Sequence, residues 1–257
     1  MKAIDFRVIN VLWLREMKRF VRARSRIIAT LMIPILSLFF FSMGLSGVPL
    51  PGIPEEIDYV NFLLPGIIGT TILFSAVFSG ISVLWDREFG FLKEIMMAPV
   101  SRLSIVLGRI LGSATISLIQ GGIILFVSML IIGIKKPTLQ GILWAFIFMI
   151  LIAITFIGLG LILASRMRDI HGFNLVMNFI IFPMFLLSGS ILPLQRLPKP
   201  LYYLIYLDPL TYGVDGLRAS LMKFSIFWKT HDLIVLSLFA LVAIVVGSYM
   251  FEKMRVE

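Results

Sequence analysis

Five charged side chains within nine residues, Asp86, Arg87, Glu88, Lys93 and Glu94, form the group in this chain best suited to act on another molecule. They belong to DREFGFLKEIMMAPVSRLSIVLGR, residues 86–109, which interrupts two long apolar stretches. Gly90 stands among them, Pro99 would stop a short helix, and Ser101 can cap the helix that follows. The chemistry open to such a segment is recognition. Ion pairs and a few apolar knobs (Phe91, Leu92, Ile95) would seat it in a partner's groove, or else it is a solvated loop helix touching only lipid headgroups. A second group, Ser188-Gly189-Ser190 with His231, has the residue types of a serine hydrolase. A nucleophile needs its base within hydrogen-bond reach, and these residues fall at the ends of different apolar stretches. Nothing else in the sequence builds a hydrolytic site around them.

Several chemistries are closed to the chain. It has no cysteine, which removes disulfides, thiol catalysis and thiolate metal sites. His171 and His231 are too few for a histidine metal cluster. No GxxxxGK[ST] occurs, so no P-loop cradles ATP phosphates. No carboxylate stands mid-way along an apolar stretch, where ion-coupled carriers usually place one. An ion-driven or passive carrier is therefore the weaker alternative, and energy for any transport has to come from elsewhere.

The elements that position these residues are membrane helices. Of 257 residues, 59% are hydrophobic and 14% charged, and the mean hydropathy is +1.02. Soluble domains are about 45–50% apolar. The sequence predicts an all-α polytopic membrane protein, one domain over 1–257, with spans at 27–46, 61–85, 104–134, 139–164, 173–194 and 232–251. Each approaches or exceeds the ~20 residues needed to cross the hydrocarbon core. The net charge is +9. The bases gather beside the spans, which points to anionic lipid headgroups rather than nucleic acid. Sixteen Lys and Arg fall on the side of the termini and the 86–103 connection, against seven on the other. That bias puts both termini in the cytoplasm. The charged N-terminal region, running to Arg26, is too long for a cleavable signal peptide.

Residues 1–26 have the pattern of an amphipathic helix lying in the interface. Phe6, Ile9, Trp13, Met17 and Phe20 share one side, and Arg15, Lys18, Arg22 and Arg26 the other. The alternative is a plain basic anchor. Between the last two spans, 195–231 holds Pro198, Pro200 and Pro209 and four tyrosines, Tyr202, Tyr203, Tyr206 and Tyr212. Its apolar pieces are too short to cross, so they read as re-entrant or interfacial helices on the outer face. Within the spans, Ser75, Ser79 and Ser82 lie roughly on one helix face, and Asn174 and Asn178 are i, i+4. They line a path or hydrogen-bond helices together. Gly108-x-x-x-Gly112 marks close helix packing, and Pro34, Pro65 and Pro183 mark bends.

In 86–109, Arg87-Glu88, Gly90, Leu92, Glu94, Pro99-Val100-Ser101-Arg102 and Gly108-Arg109 follow in order. This pattern resembles the coupling segment of type-2 ABC exporter permeases. Tyr59-x-x-Phe62-Leu63-Leu64-Pro65-Gly66 is similar to that family's entry into the second span. Leu187-Ser188-Gly189, Pro193, Leu197-Pro198 and Asp208-Pro209-Leu210-Thr211-Tyr212-Gly213-Val214-Asp215-Gly216-Leu217-Arg218 resemble its outer region. Asp208 stands where the family commonly has Asn, and Phe91 where Thr is usual. The resemblance implies a non-enzymatic permease subunit in the plasma membrane, paired with a second copy or a paralogue. Two separate ATPase subunits would carry ATP and Mg; this chain would carry no cofactor. It implies contact with the ATPase at Arg87, Glu88, Gly90, Glu94 and Pro99, and an interfacial helix carrying Phe6, Trp13, Arg15, Lys18 and Phe20. Ser75, Ser79, Asn174 and Asn178 are candidates for the path. A wall of mostly Leu, Ile, Phe and Met suits a lipid-like or amphipathic drug-like cargo. A polysaccharide or glycolipid cargo is the alternative within the same family.

Overall fold

The computed structural model describes residues 4–45, 58–97, 100–131, 137–167, 169–194 and 199–253. Pro99, position 46, positions 132–134 and positions 195–198 lie outside the described residues. Among the described residues the chain is helical and contains no strand. Among the described residues, five helical stretches are long and apolar enough to cross a membrane, and a bent pair, Phe6–Arg22 with Ile27–Phe41, makes a sixth candidate.

The first helix, α1 (Phe6–Arg22), starts where the Asp5 carboxylate accepts from Arg7 N–H at 2.8 Å, capping an otherwise unpaired donor. The chain turns through 69° before α2 (Arg24–Leu45). Helices α3 (Tyr59–Glu88) and α5 (Arg102–Ile131) have 30 residues each. At 1.5 Å per residue each is about 45 Å long, well over the ~30 Å hydrocarbon thickness. Their ends therefore carry polar groups that a strictly spanning helix would not tolerate. Between them lies α4 (Phe91–Met97). After α6 (Leu139–Arg166), capped by the Thr138 hydroxyl on Gly141 N–H, the next span is assembled from pieces. It comprises α7 (Ile170–Val176), a widened π-turn (Met177–Ile181) and α8 (Phe182–Leu187).

This fifth span departs from the expected 173–194. It begins at Ile170, where the Asp169 side chain caps Gly172 N–H, and its helix stops at Leu187. Pro183 lacks an N–H and its ring crowds the carbonyl one turn back. The chain widens just before it, with Phe182 N–H reaching Met177 O. Residues 188–194, apolar enough to continue the span, instead turn at Gly189, whose φ is +73°. Such a backbone conformation favours glycine and ends the helix.

The core lies where α6 packs against α3, α10 (Pro209–Met222) and α11 (Lys229–Glu252). Small residues let α6 and α11 approach closely. A Cβ on Gly158 would fall 2.6 Å from the Ala243 carbonyl carbon, and one on Gly247 2.8 Å from Gly158 O. Without a hydrophobic drive between helices in lipid, such backbone approach supplies the packing. Gly158→Val is expected to destabilise the chain by about 1–3 kcal/mol through overpacking, read as a lower melting temperature in detergent. Helix α9 (Lys199–Leu204) and the turn Ile205–Leu207 lead into α10, which is buried over nearly all its length. Tyr202, Tyr203 and Tyr206 keep some exposure. Tyr212, in contrast, is buried and donates to Tyr206 O at 3.0 Å.

Candidate functional site

The charged connection folds as its residues dictate. Helix α3 ends at Glu88, the chain reverses at Gly90 (φ +73°), and Lys93 N–H bonds Gly90 O at 3.0 Å to start α4. A Cβ on Gly90 would meet nothing within 4 Å, so the glycine serves backbone conformation and not space. The expected knobs turn inward. Leu92 is fully buried, Phe91 and Ile95 are half-buried, and the Arg15 guanidinium lies 4.0 Å over the Phe91 ring. Outward stand Glu88, Lys93 and Glu94, with Phe89 81% and Met97 85% exposed. The apolar contacts offered to a partner are therefore Phe89 and Met97. One reversal at Gly90 rotates α4 so that its Leu92 face closes onto the helices behind it. Arg87 is half-buried and donates to Met167 O at 3.5 Å.

The basic arm is not the simple interfacial stripe its periodicity suggests. Its buried line is Ile9, Leu12 and Glu16, laid against α5. Gly108 and Gly112 make that approach possible: added Cβ atoms would sit 2.9 Å from Leu12 Cβ and 2.8 Å from Glu16 Cβ. Trp13 Nε1 donates to Thr115 Oγ1 at 3.1 Å. Phe6 is 80% exposed, Lys18 is exposed and Phe20 is half-buried. Arg15, expected on the water side, is tied inward instead. Its Nη2 and Nη1 meet the two Asp86 oxygens at 2.7 and 3.2 Å. Arg109 Nη2 reaches Asp86 Oδ2 at 2.5 Å, and Arg19 stands 3.9 Å from Oδ1. Asp86, read from sequence as an exposed docking charge, is 5% exposed. A carboxylate withdrawn from water has to be matched by cations, and here they come from α1 and α5. The sequence hinted at this only through Asp86 lying inside the last turn of a helix too long for the membrane.

Beside this cluster a cavity of about 710 Å³ opens among α1, α2, α3, α5 and α8. Ser75 and Ser79 line it, as does Ser82. Ser75 also accepts from Ser117 Oγ at 3.0 Å, and Ser79 Oγ is spent on Ala76 O at 2.6 Å. The serines thus both join helices and face the cavity. Gln120 Nε2, bonded to Thr30 Oγ1 at 3.0 Å, ties α5 to α2 across it. Phe41, Phe74, Phe78, Phe182 and Phe185 also line it, Phe74 and Phe78 on the same helix as the serines. Asn174 and Asn178 do not line the cavity; both are exposed elsewhere. Their i, i+4 relation presumes one regular helix, and the π-turn beginning at Met177 falls between them.

The far end of the helices holds a group the sequence concealed. Arg218, which is one of the seven Lys and Arg expected on the side away from the termini, is fully buried. It donates to Gly189 O at 2.9 Å, lies 4.0 Å over the Phe62 ring and stands 3.6 Å from Asp215. Asp215 in turn accepts from Ile226 and Phe227 N–H groups at 2.8–3.0 Å. Burial pushes its carboxyl above the usual range, and these N–H groups and Arg218 pull it back. The i, i+3 spacing of Asp215 and Arg218 was the available signal. Ser190 and His231 do not meet. Ser190 Oγ bonds Ser188 and Phe185 O, and His231 packs on Tyr212 and Phe227. No hydrolytic pair forms.

Asp208 caps α10, accepting from Leu210 N–H at 2.9 Å and Thr211 Oγ1 at 3.2 Å. Burial pushes its carboxyl up from 3.8 to about 7, against those two bonds. A raised acid favours the fold when protonated, so its contribution is full below its ordinary value and lost as pH rises through about 7. Asp208→Asn keeps an acceptor and cannot ionise. Its melting temperature is expected to fall less between pH 4 and 7 than that of the parent chain, the raised Asp215 and Asp232 carboxyls remaining in both, as measured by thermal unfolding across that range.

With this geometry in hand, comparison with known proteins gives a consistent picture. The family model described as "ABC-2 type transporter" matches residues 7–222. The chain is similar to ycf38 of Cyanophora paradoxa, named as a transport permease, with 27% identity covering 97% of this chain and 90% of that one. It is 25% identical to the inner membrane transport permease YadH of Escherichia coli K12, covering 82% and 81%. Nodulation protein J of Sinorhizobium fredii is also 25% identical, covering 78% and 75%.

Proposed function

Because this chain belongs to the ABC-2 type transporter family, and so is a membrane subunit of an ABC transporter, we propose that it forms the translocation path of an ATP-driven exporter. It works as a dimer, with itself or a paralogue, on two separate ATPase subunits that bind ATP and Mg. It sits in the plasma membrane with both termini cytoplasmic, and moves an apolar or amphipathic, drug-like or lipid-like cargo outward. The ATPase grips the α4 end. Glu88 and Glu94 offer it charge, Phe89 and Met97 offer it apolar contact, and Gly90 sets the turn that presents them. Arg87 braces that turn from behind through Met167 O. Closure of the ATPases on ATP is passed to α1 and α3 through α4, favouring one of two arrangements of the spans.

The observation that carries this reading is the cavity's lining, in which serine hydroxyls and several phenylalanine rings occur together, beside a surface that presents charge outward. Such a cavity suits a molecule with one polar edge and a large apolar body. The test is reconstitution into liposomes with and without the cognate ATPase. A fluorescent amphiphile should accumulate only when ATPase, ATP and this chain are all present. Accumulation by this chain alone on an ion gradient would overturn the proposal.

A further inference from the structure

We propose that the cavity and the basic groove on α1 form one continuous site for an anionic amphiphile. Its negative head group is held by Arg19 and Arg22, and its tail lies against Phe74, Phe78 and Phe185. The inference deepens the exporter reading by naming a substrate class, and it rests on that reading only for the claim that the bound molecule is moved.

The two depressions share a border. Arg19 and Ala23 line both the cavity and a shallower groove along α1 that also takes in Val11, Leu14, Lys18 and Arg22. The two depressions are therefore neighbours across Arg19 and Ala23. The charge at this junction is unequal. Asp86 is already matched by Arg15 and Arg109 at 2.5–3.2 Å, and Arg19 stands farther off at 3.9 Å. Arg19 is held in place instead by the Trp85 ring, 5.3 Å from its guanidinium carbon. The groove brings four cations, Arg15, Lys18, Arg19 and Arg22, and no carboxylate of its own; on the cavity side Glu16 stands 3.7 Å from Arg15, which leaves Lys18, Arg19 and Arg22 as the cations in excess. A phosphate monoester or diester fits the planar guanidinium fork by charge-assisted, paired hydrogen bonds. Beyond Arg19 the cavity turns apolar on one side. Its ~710 Å³ lies within the range of small-molecule sites. Bases beside apolar spans are also where an anionic headgroup resides by electrostatics alone. Neither a neutral drug nor a hydrated glycan would use both halves.

The test uses the full chain in nanodiscs of neutral lipid, without ATP or ATPase. A single-chain alkyl phosphate with a brominated tail is titrated, and quenching of Trp85 fluorescence is followed. An alkyl phosphocholine and an alkyl maltoside of the same tail serve as comparisons. The alkyl phosphate should bind most tightly, weaken with added salt, and lose about tenfold or more in affinity in R19Q/R22Q. Trp85→Phe should remove the signal. Ser79→Phe, which fills the cavity and leaves every base in place, should abolish tail quenching while the melting temperature holds. Equal affinity for the three amphiphiles, or an unchanged alkyl phosphate affinity in R19Q/R22Q, would overturn the inference. Selective binding without ATP-driven movement would sink the exporter reading and leave this site standing. ATP-driven movement of neutral compounds without selective binding would do the reverse.

Discussion

Asp86→Ala is expected to destabilise the chain by about 3–5 kcal/mol, the loss seen when one partner of a buried ion pair is removed. Asp86 is the shared acceptor for Arg15 and Arg109, and its removal leaves the buried Arg109 without that partner. The Arg109 Nε and Nη1 atoms already lack hydrogen-bond partners, so the guanidinium has no other bond to fall back on. The damage should be local first. Helix α1 is held to α3 chiefly by this cluster and to α5 by the glycine seam, so protease cleavage near residues 18–24 should rise before global unfolding shifts. Asp86→Asn keeps a hydrogen-bond acceptor without the charge and should lie between parent and alanine variant. Thermal unfolding in detergent with parallel limited proteolysis checks both statements. An Asp86→Ala chain as stable as its parent would show that the cluster is idle.

The second large effect is functional. Charge reversal at both Glu88 and Glu94 is expected to weaken binding of the ATPase by ~100-fold, since juxtaposed like charges cost several kcal/mol. Both side chains are exposed and make no contact that holds the fold, so stability should hardly change. ATP-driven accumulation in liposomes should fall in step with the lost binding. ATPase turnover measured with excess ATPase should survive, because hydrolysis belongs to the other chain. Unchanged affinity and transport in E88K/E94K would place the ATPase contact elsewhere.

The helical membrane architecture was legible because apolar length and charge placement are one-dimensional signals. The ends were less so. Span five was misjudged at both ends, since hydropathy cannot distinguish helix from the turn that Gly189 forces among apolar neighbours. The same limit applied to α4, where three apolar residues were equally plausible knobs. Only the reversal at Gly90 decides that Leu92 faces in and Met97 faces out. Charge was the hardest property to place. Asp86, Arg15 and Arg218 read as water-facing because isolated charges usually are, yet each finds its partner on an element distant in sequence or at the end of a packed helix. Ser75 and Ser79 share a face in the folded chain and both line the cavity, whereas a π-turn between Asn174 and Asn178 breaks the helical period that would have joined them, and neither lines it.

The seam between Gly158, Ala243 and Gly247 leaves no gap for a lipid chain to wedge between α6 and α11. Those two helices consequently behave as a stator. Helix α2 has the opposite character, resting on α1, α3 and α5 and carrying Pro34 in its own middle. Among the helices that line the cavity, α2 is the one interrupted mid-length by a proline, and breathing of the cavity is expected to draw first on that compliant wall.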